Sequence, residues 1–463
     1  MSFPEYSDYK DSGVEWLGII PRHWRIDKFR YVFTESDEKI EGNVVGEMLS
    51  VSGYRGIEVK NYDDENKRRT EEELQGYRVV RPGQLVVNTM WLNYAGLGVS
   101  DYEGHVSPAY RSYWIAIDVD LRFIHHLMRS SIYVQGYTQL LTGIRPNSLQ
   151  MSRDDLMGFP VVLAPRAEQI QIARFLDHET AKIDALIREQ ERLIELLQEN
   201  RQASISHAVT KGLDPDVPMK DSGVEWLGEV PAHWRVVQVR HLLRKIEQGK
   251  SPECESRAAV GDEWGVLKTG CVNGGIYRSS EHKALPAHIN PHSEYEVKEG
   301  DLLMSRASGS KDLIGAVAYV EKTPSRLLLS DKVFRLKLEP GVHSQHFALL
   351  MGAQHVRAQI ELAINGAEGL ANNITKESIK SFVVALPAYE EQQDIFKYLS
   401  IQTHKFSELS EQLLAALSVL KERRAALISF AVTGKIDVRN WQPPTDESAF
   451  DEEVRQTGME ATA

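Results

Sequence analysis

The chain is poor in cysteine. Cys254 and Cys271 are the 2 present among 463 residues, and their spacing fits no metal or redox motif. A disulfide scaffold and a cysteine-rich zinc site are therefore excluded. Long apolar runs are missing: no stretch approaches the roughly 18 residues that would span a bilayer. The opening MSFPEYSDYKDSG also lacks the apolar core of a signal peptide. A soluble, cytoplasmic protein without membrane contact is expected.

Catalytic signatures are missing as well. There is no G-x-x-x-x-G-K-[ST], no H-E-x-x-H, no G-x-S-x-G and no Asn-Pro-Pro-aromatic motif. Ser308-Gly309-Ser310-Lys311 spells S-x-x-K without its partner motifs, and Asp262, Glu263 and Lys268 only caricature a nuclease cluster. The 15 histidines show no metal-ligand spacing. No catalytic residue, metal site or cofactor of this chain's own is expected. An excess of positive charge is also missing, because 54 Lys+Arg stand against 66 Asp+Glu, a net charge of −12. That argues against general coating of nucleic acid. It leaves room for a reader whose cations are gathered on one surface.

What is present is a long internal duplication. Lys10 to Gly18 reads KDSGVEWLG, and Lys220 to Gly228 repeats it residue for residue. Each copy runs on to Pro-x-His-Trp-Arg, at Pro21 to Arg25 and Pro231 to Arg235. Farther on, Glu168-Gln169 matches Glu391-Gln392, and Ala208-Val209-Thr210 matches Ala431-Val432-Thr433. The ends of the unit are constant and its middle, roughly 26–158 and 236–381, has drifted. A common frame holding two different readers is the natural interpretation.

The constant C-terminal parts are helical in pattern. Ile172, Leu176, Ile183, Leu186, Leu193 and Leu197 recur at spacings of three and four, with Ile187 and Ile194 beside them. The second copy places Ile395, Leu399, Phe406, Leu409, Leu413, Ala416, Leu420 and Leu427 in the same way. Pro165 and Pro387 precede these stretches, and Gly212 and Gly434 follow them. About 40 residues at about 1.5 Å each make a rod of roughly 60 Å. Its apolar stripe is expected to bury against the other copy in an antiparallel coiled coil. Gln190 stands where the other copy has Leu413, either setting the register or facing solvent.

Short β-type runs fill the middles, among them Tyr77 to Val80, Gln84 to Asn88, Tyr110 to Ile117 and Phe159 to Leu163. Helix candidates lie at 121–135 and 344–363. Mixed α/β domains follow. Three loop regions recur at matching places in both copies. The first holds Ser50, Ser52, Tyr54 and Arg55, matched by Lys268, Thr269 and Asn273. The second holds Asn88, Trp91, Asn93 and Tyr94, matched by Ser305, Arg306, Ser308, Ser310 and Lys311. The third holds Arg145 and Asn147, matched by Asn372 and Asn373. Such side chains hydrogen-bond base edges and phosphates, so these 20 residues are the candidate DNA contacts.

The duplicated KDSGVEWLG…P-x-H-W-R, the Pro-x-x-Glu-Gln stretch opening each long helix and the Ala-Val-Thr closing it resemble the DNA-specificity subunit of type I restriction–modification systems. The resemblance covers about residues 1–437. It implies a mixed α/β fold with two target-recognition domains, 1–165 and 221–387. Helical spacers, 166–220 and 388–437, separate them, and an acidic tail, 438–463, follows. It implies a non-catalytic scaffold that reads a split, asymmetric site on double-stranded DNA. Two methyltransferase subunits carrying S-adenosylmethionine and ATP-using restriction subunits would be its partners. A coiled-coil assembly adapter without sequence readout is the competing reading. The neutral second recognition domain and the acidic tail predict weak DNA binding by the isolated chain, with part of the affinity supplied by its partners.

Overall fold

The structure is a computed structural model that describes residues 3–53, 55–62, 69–143, 149–364 and 372–443. The chain divides into two compact units. One runs to Glu191 and takes up the chain again from Ala415; the other is Arg192–Leu414.

Each unit contains one copy of the duplicated hairpin. In the first, Tyr9–Asp11 pairs antiparallel with Ile19–Pro21; in the second, Met219–Asp221 pairs with Glu229–Pro231. Asp11 and Asp221 each accept the amide two residues on, at 2.9 Å. This is an Asx turn, and it lets Gly13 and Gly223 take φ near +71° and +72°. Lys10 and Lys220 bond the carbonyls of Trp24 and Trp234, both at 2.5 Å. The identical residues thus build one identical local structure twice.

The divergent middles keep a common topology. The first unit has an antiparallel sheet in the order Phe33–Glu35, Tyr110–Ile115, Leu85–Asn88, Leu97–Val99. The second repeats that order with Leu243–Gln248, Val333–Leu338, Leu302–Ser305 and Val317–Tyr319. A second sheet in each unit, of four strands in the first and three in the second, contains one parallel pair, Gly104–Val106 on Glu47–Ser52 and Leu327–Leu328 on Gly265–Leu267. In both of these antiparallel sheets an ion pair joins the first two strands. Arg111 meets Glu35 at 3.1 Å, and Arg335 meets Glu247 at 2.7 Å.

The candidate helix at 121–135 is two helices, Leu121–Arg129 and Ser131–Leu140. Ser130 between them is extended, and its hydroxyl donates to Leu127 O at 2.8 Å. The candidate at 344–363 likewise splits, into Ser344–Met351 and Gln354–Ala363 around Gly352-Ala353.

The long helices are Arg166–Lys211 and Tyr389–Val432, and each is shared between the units. In the first unit they run antiparallel. Arg424 grips Asp184 with two bonds of 2.7 and 3.0 Å, and Lys421 reaches Glu191 at 3.1 Å. Ile172 and Leu176 share a core with Ile428, Ala431 and Val432. In the second unit, Ile205, Ala208 and Val209 share a core with Ile395 and Leu399. The expected stripe needs a correction: Leu186 and Leu193 are exposed, whereas Ile183 and Ile187 are buried. Thr180 is buried between Leu176 and Ile183, so the stripe advances by three or four residues through 176, 180, 183 and 187. Leu186 lies about 100° round from Ile187. Gln190 is half-buried, and its Oε1 has no hydrogen-bond partner.

The remaining constant residues tie each helix to its unit. Glu168 accepts Trp24 Nε1 at 3.0 Å and Tyr6 Oη at 3.0 Å, and pairs with His23 at 2.7 Å. Glu391 accepts Trp234 Nε1 at 3.0 Å and pairs with His233 at 2.9 Å. The buried Gln169 accepts the amide of Asp120 at 2.8 Å, and Gln392 accepts the amide of His343 at 2.8 Å. Asp120 and His343 are both helix N-caps. The last helix closes on the first hairpin. Gly434 O accepts Tyr9 Oη at 3.1 Å, and Asp437 N donates to Pro4 O at 2.7 Å.

Candidate nucleic-acid interface

In the first unit the candidate loops converge. Ser50 and Ser52 lie on Glu47–Ser52, and Arg55 is exposed just beyond, paired with Glu58 at 3.1 Å. Asn88 ends Leu85–Asn88, and its Oδ1 accepts the amide of Met90 at 3.2 Å. Leu92–Tyr94 is a 3-10 turn with Leu92 buried and Trp91 and Tyr94 exposed.

Arg129 fastens these two loops together. Its guanidinium donates to Ser52 O at 3.2 Å, Gly53 O at 2.9 Å and Ala95 O at 3.1 Å, and also to Leu97 O. Burial, and then repulsion from Arg424, pull its pKa down to about 10, which leaves it a cation at neutral pH. Gly53 is required beside it, because a Cβ there would come 2.5 Å from Tyr94 O. The base of the third loop is tied to the second. Thr142 and Gln150 pair, Met151 N donates to Thr89 O at 3.3 Å, and Gln150 Nε2 donates to Thr89 Oγ1 at 3.4 Å. Beneath lies His125, half-buried and held neutral chiefly by desolvation, its pKa lowered to about 3.

In the second unit the second and third loops become one structure. Ala307–Ser308 pairs antiparallel with Asn372–Asn373, Ser308 opposite Asn372. Ile374 N donates to Arg306 O at 3.0 Å. Arg306 lies over the Phe334 ring and reaches Asp331 O at 3.3 Å. Ser310 and Lys311 are exposed, and Arg357 holds their turn by donating to Lys311 O at 3.0 Å and Asp312 O at 3.4 Å. Lys268 is exposed and pairs with Glu281 at 3.2 Å. Thr269 opens the segment Thr269–Gly275, and Asn273 sits with Gly274 at the kink that interrupts its 3-10 turns; buried Cys271 and Val272 anchor it.

The loops are not uniformly open. Asn88, Ser305 and Asn372 are buried, so their side chains shape the loops from beneath. Asn93 Oδ1, Asn273 Oδ1, Ser305 Oγ and Asn372 Oδ1 are buried without hydrogen-bond partners. Tyr54, Arg145 and Asn147 lie outside the described residues. Among the described residues no cluster of His, Cys, Asp and Glu could hold a metal, and no helix is long and apolar enough to cross a membrane.

The profile of the type I restriction modification DNA specificity domain matches residues 231–418. The specificity subunit of the type I restriction enzyme EcoEI of Escherichia coli is 29% identical over 197 residues. That match covers 42% of this chain and 33% of that protein. The EcoKI specificity subunit of Escherichia coli K12 is 24% identical over 317 residues, 68% of this chain and 65% of that protein. Over these stretches the chain is similar to type I restriction specificity subunits. It matches about a third of the length of the EcoEI subunit and about two thirds of the EcoKI subunit. A solved chain of a type I R-M system, described for its complex assembly and conformational transition, superposes with a TM-score of 0.64. The superposition covers 90% of this chain and 99% of that one at 13% identity, a likeness of fold.

The residues that reasoning from sequence missed are the ones that position the loops. Arg129 and Arg357 sit on amphipathic helices, where a lone arginine reads as solvated charge. Glu58 and Glu281, which pair with the candidate cations Arg55 and Lys268, carried no motif at all.

Proposed function

We propose that this chain is the sequence-reading subunit of a type I restriction–modification complex. Each recognition domain takes one half of a split, asymmetric site on double-stranded DNA. The chain supplies no catalytic group. Two methyltransferase subunits, carrying S-adenosylmethionine, modify the site, and ATP-using restriction subunits act on unmodified DNA. The supporting observation is the pairing of one duplicated frame with two dissimilar loop sets. Aromatic and amide groups are presented in the first unit, hydroxyls and cations in the second. The frame residues spend their polar groups on one another, whereas Arg55, Trp91, Tyr94, Ser310 and Lys311 face outward. Arginine, lysine and asparagine are suited to phosphates and base edges, and two weak readers on one chain gain avidity.

The test is methylome sequencing of cells that express this chain with its methyltransferase subunit. A bipartite motif with a fixed gap is expected. A continuous motif, or no sequence-selective methylation, overturns the proposal.

A further inference from the structure

We infer that Trp91 and Tyr94 form a stacking wedge that takes an unstacked base step of DNA, so that the first domain reads its half-site partly by deformability. This rests on the DNA-reading function proposed above. Trp91 is 55% and Tyr94 60% exposed, with Met90 beside them at 39%. Single exposed apolar residues are ordinary, but a contiguous group on a rigid turn marks a contact surface.

The turn is rigid. Trp91 N donates to Asn88 O at 3.0 Å, and Trp91 O accepts Tyr94 N at 2.9 Å and Gly96 N at 2.9 Å. Buried Leu92 pins the turn from below. Ala95 takes φ of +54°, an uncommon conformation for a residue with a side chain, maintained here by the Arg129 bond to its carbonyl. A Cβ on Gly96 would come 2.6 Å from Trp91 O, so the backbone is packed on that side too. The two rings stand 5.7 Å apart at 58°. They are tilted rather than stacked on each other, which leaves their faces available.

A nucleobase is the occupant the surroundings favour. Every base has a π-face, and base–aromatic stacking needs no particular hydrogen-bond pattern. Arg55, exposed on the neighbouring loop that Arg129 ties to this one, can meet a phosphate. Apolar side chains inserted between base pairs act best at flexible pyrimidine–purine steps. The matching segment of the second unit, Ser305–Lys311, contains no aromatic residue, so the two half-sites are to be read by different physics.

The test uses the assembled complex with its methyltransferase subunits and duplexes carrying the motif found by methylome sequencing. 2-Aminopurine replaces adenine at successive positions of both half-sites. Apart from the adenines that the methyltransferase subunits flip, which are left out of the scan, the expected result is a several-fold rise in fluorescence at one step of one half-site. Trp91→Ala/Tyr94→Ala should abolish that rise and weaken binding about tenfold or more, and Trp91→Phe should keep most of both. Lys311→Ala should lower the salt dependence of binding and leave the fluorescence unchanged. Tight, sequence-specific binding with no response at any step, or a response that survives the double substitution, overturns the wedge and spares the DNA reader. A complex without sequence-specific binding overturns both.

Discussion

The duplicated frame contains its own control, and Glu168→Ala against Glu391→Ala exploits it. Both carboxylates hold a fully buried tryptophan, Trp24 or Trp234, through the indole N–H at 3.0 Å. A hydrogen bond to a charged acceptor contributes about 1.5–3 kcal/mol, and deleting the acceptor leaves the donor buried and unsatisfied. The His23 and His233 contacts are half exposed and add on the order of 0–1 kcal/mol each. Only Glu168 also accepts a tyrosine hydroxyl, from buried Tyr6 at 3.0 Å. The position matching Tyr6 in the second hairpin is Asp216. Glu168→Ala should therefore cost about 4 kcal/mol and Glu391→Ala about 2 kcal/mol. Native-state hydrogen exchange, read on peptides from the first turns of Arg166–Lys211 and Tyr389–Val432, measures each site separately. This matters because a chain with two units need not unfold in one step. A difference of about 2 kcal/mol is roughly 30-fold in protection. Equal losses, or a larger loss at Glu391, would refute the assignment of Tyr6 and Trp24 as joint donors.

Arg129→Met should leave the helices intact and raise exchange in segments 50–56 and 91–97, because one half-buried cation serves four carbonyls there; unchanged protection would count against that role. Arg306→Ala should alter the methylated sequence of the second half-site only, which a methylome comparison checks. Asp301→Asn, where the buried carboxylate meets buried Arg335 at 3.1 Å and half-exposed Lys337 at 2.6 Å, should cost about 3 kcal/mol in the second unit, measured by denaturant-dependent exchange. His346 and His355 are buried with pKa values lowered, mainly by burial, to about 3 and about 4. They stay neutral when folded and become protonated when unfolded. The second unit should therefore lose stability as pH falls below about 6.5 toward 4, by at most about 1.4 kcal/mol per pH unit per histidine. A His346→Phe variant with an undiminished pH slope would disprove the contribution of that residue.

Much of the frame was legible because it is local or repeated. The KDSGVEWLG turns form within a few residues, and a stripe such as Ile172–Leu176 needs only a helical period. The strand order was not legible. Tyr110–Ile115 lies between Phe33–Glu35 and Leu85–Asn88, a pairing decided by contacts far apart in the chain. Placing Leu186 and Leu193 in the stripe overlooked Thr180, whose methyl and hydroxyl bury well because Oγ1 bonds Leu176 O at 2.6 Å. Loop composition singled out the candidate segments. It could not tell buried Ser305 and Asn372 from outward Ser310 and Lys311, since strand pairing rather than residue type turns a side chain in or out. Arg129 was invisible for the same reason: its four partners are carbonyls, which carry no sequence signal.

The contact between the last helix and the first hairpin also sets a timetable for synthesis. Trp24, Ile172 and Leu176 are made early, yet Ile428, Ala431 and Val432, which complete their core, leave the ribosome only after the whole second unit. The second unit, from Arg192 to Leu414, has all of its residues before then. At ~5–20 residues per second, the first unit waits on the order of tens of seconds with apolar surface uncovered. The half of the protein that begins first is therefore finished last, and a chain stalled or truncated before Ile428 should be the species most dependent on chaperones.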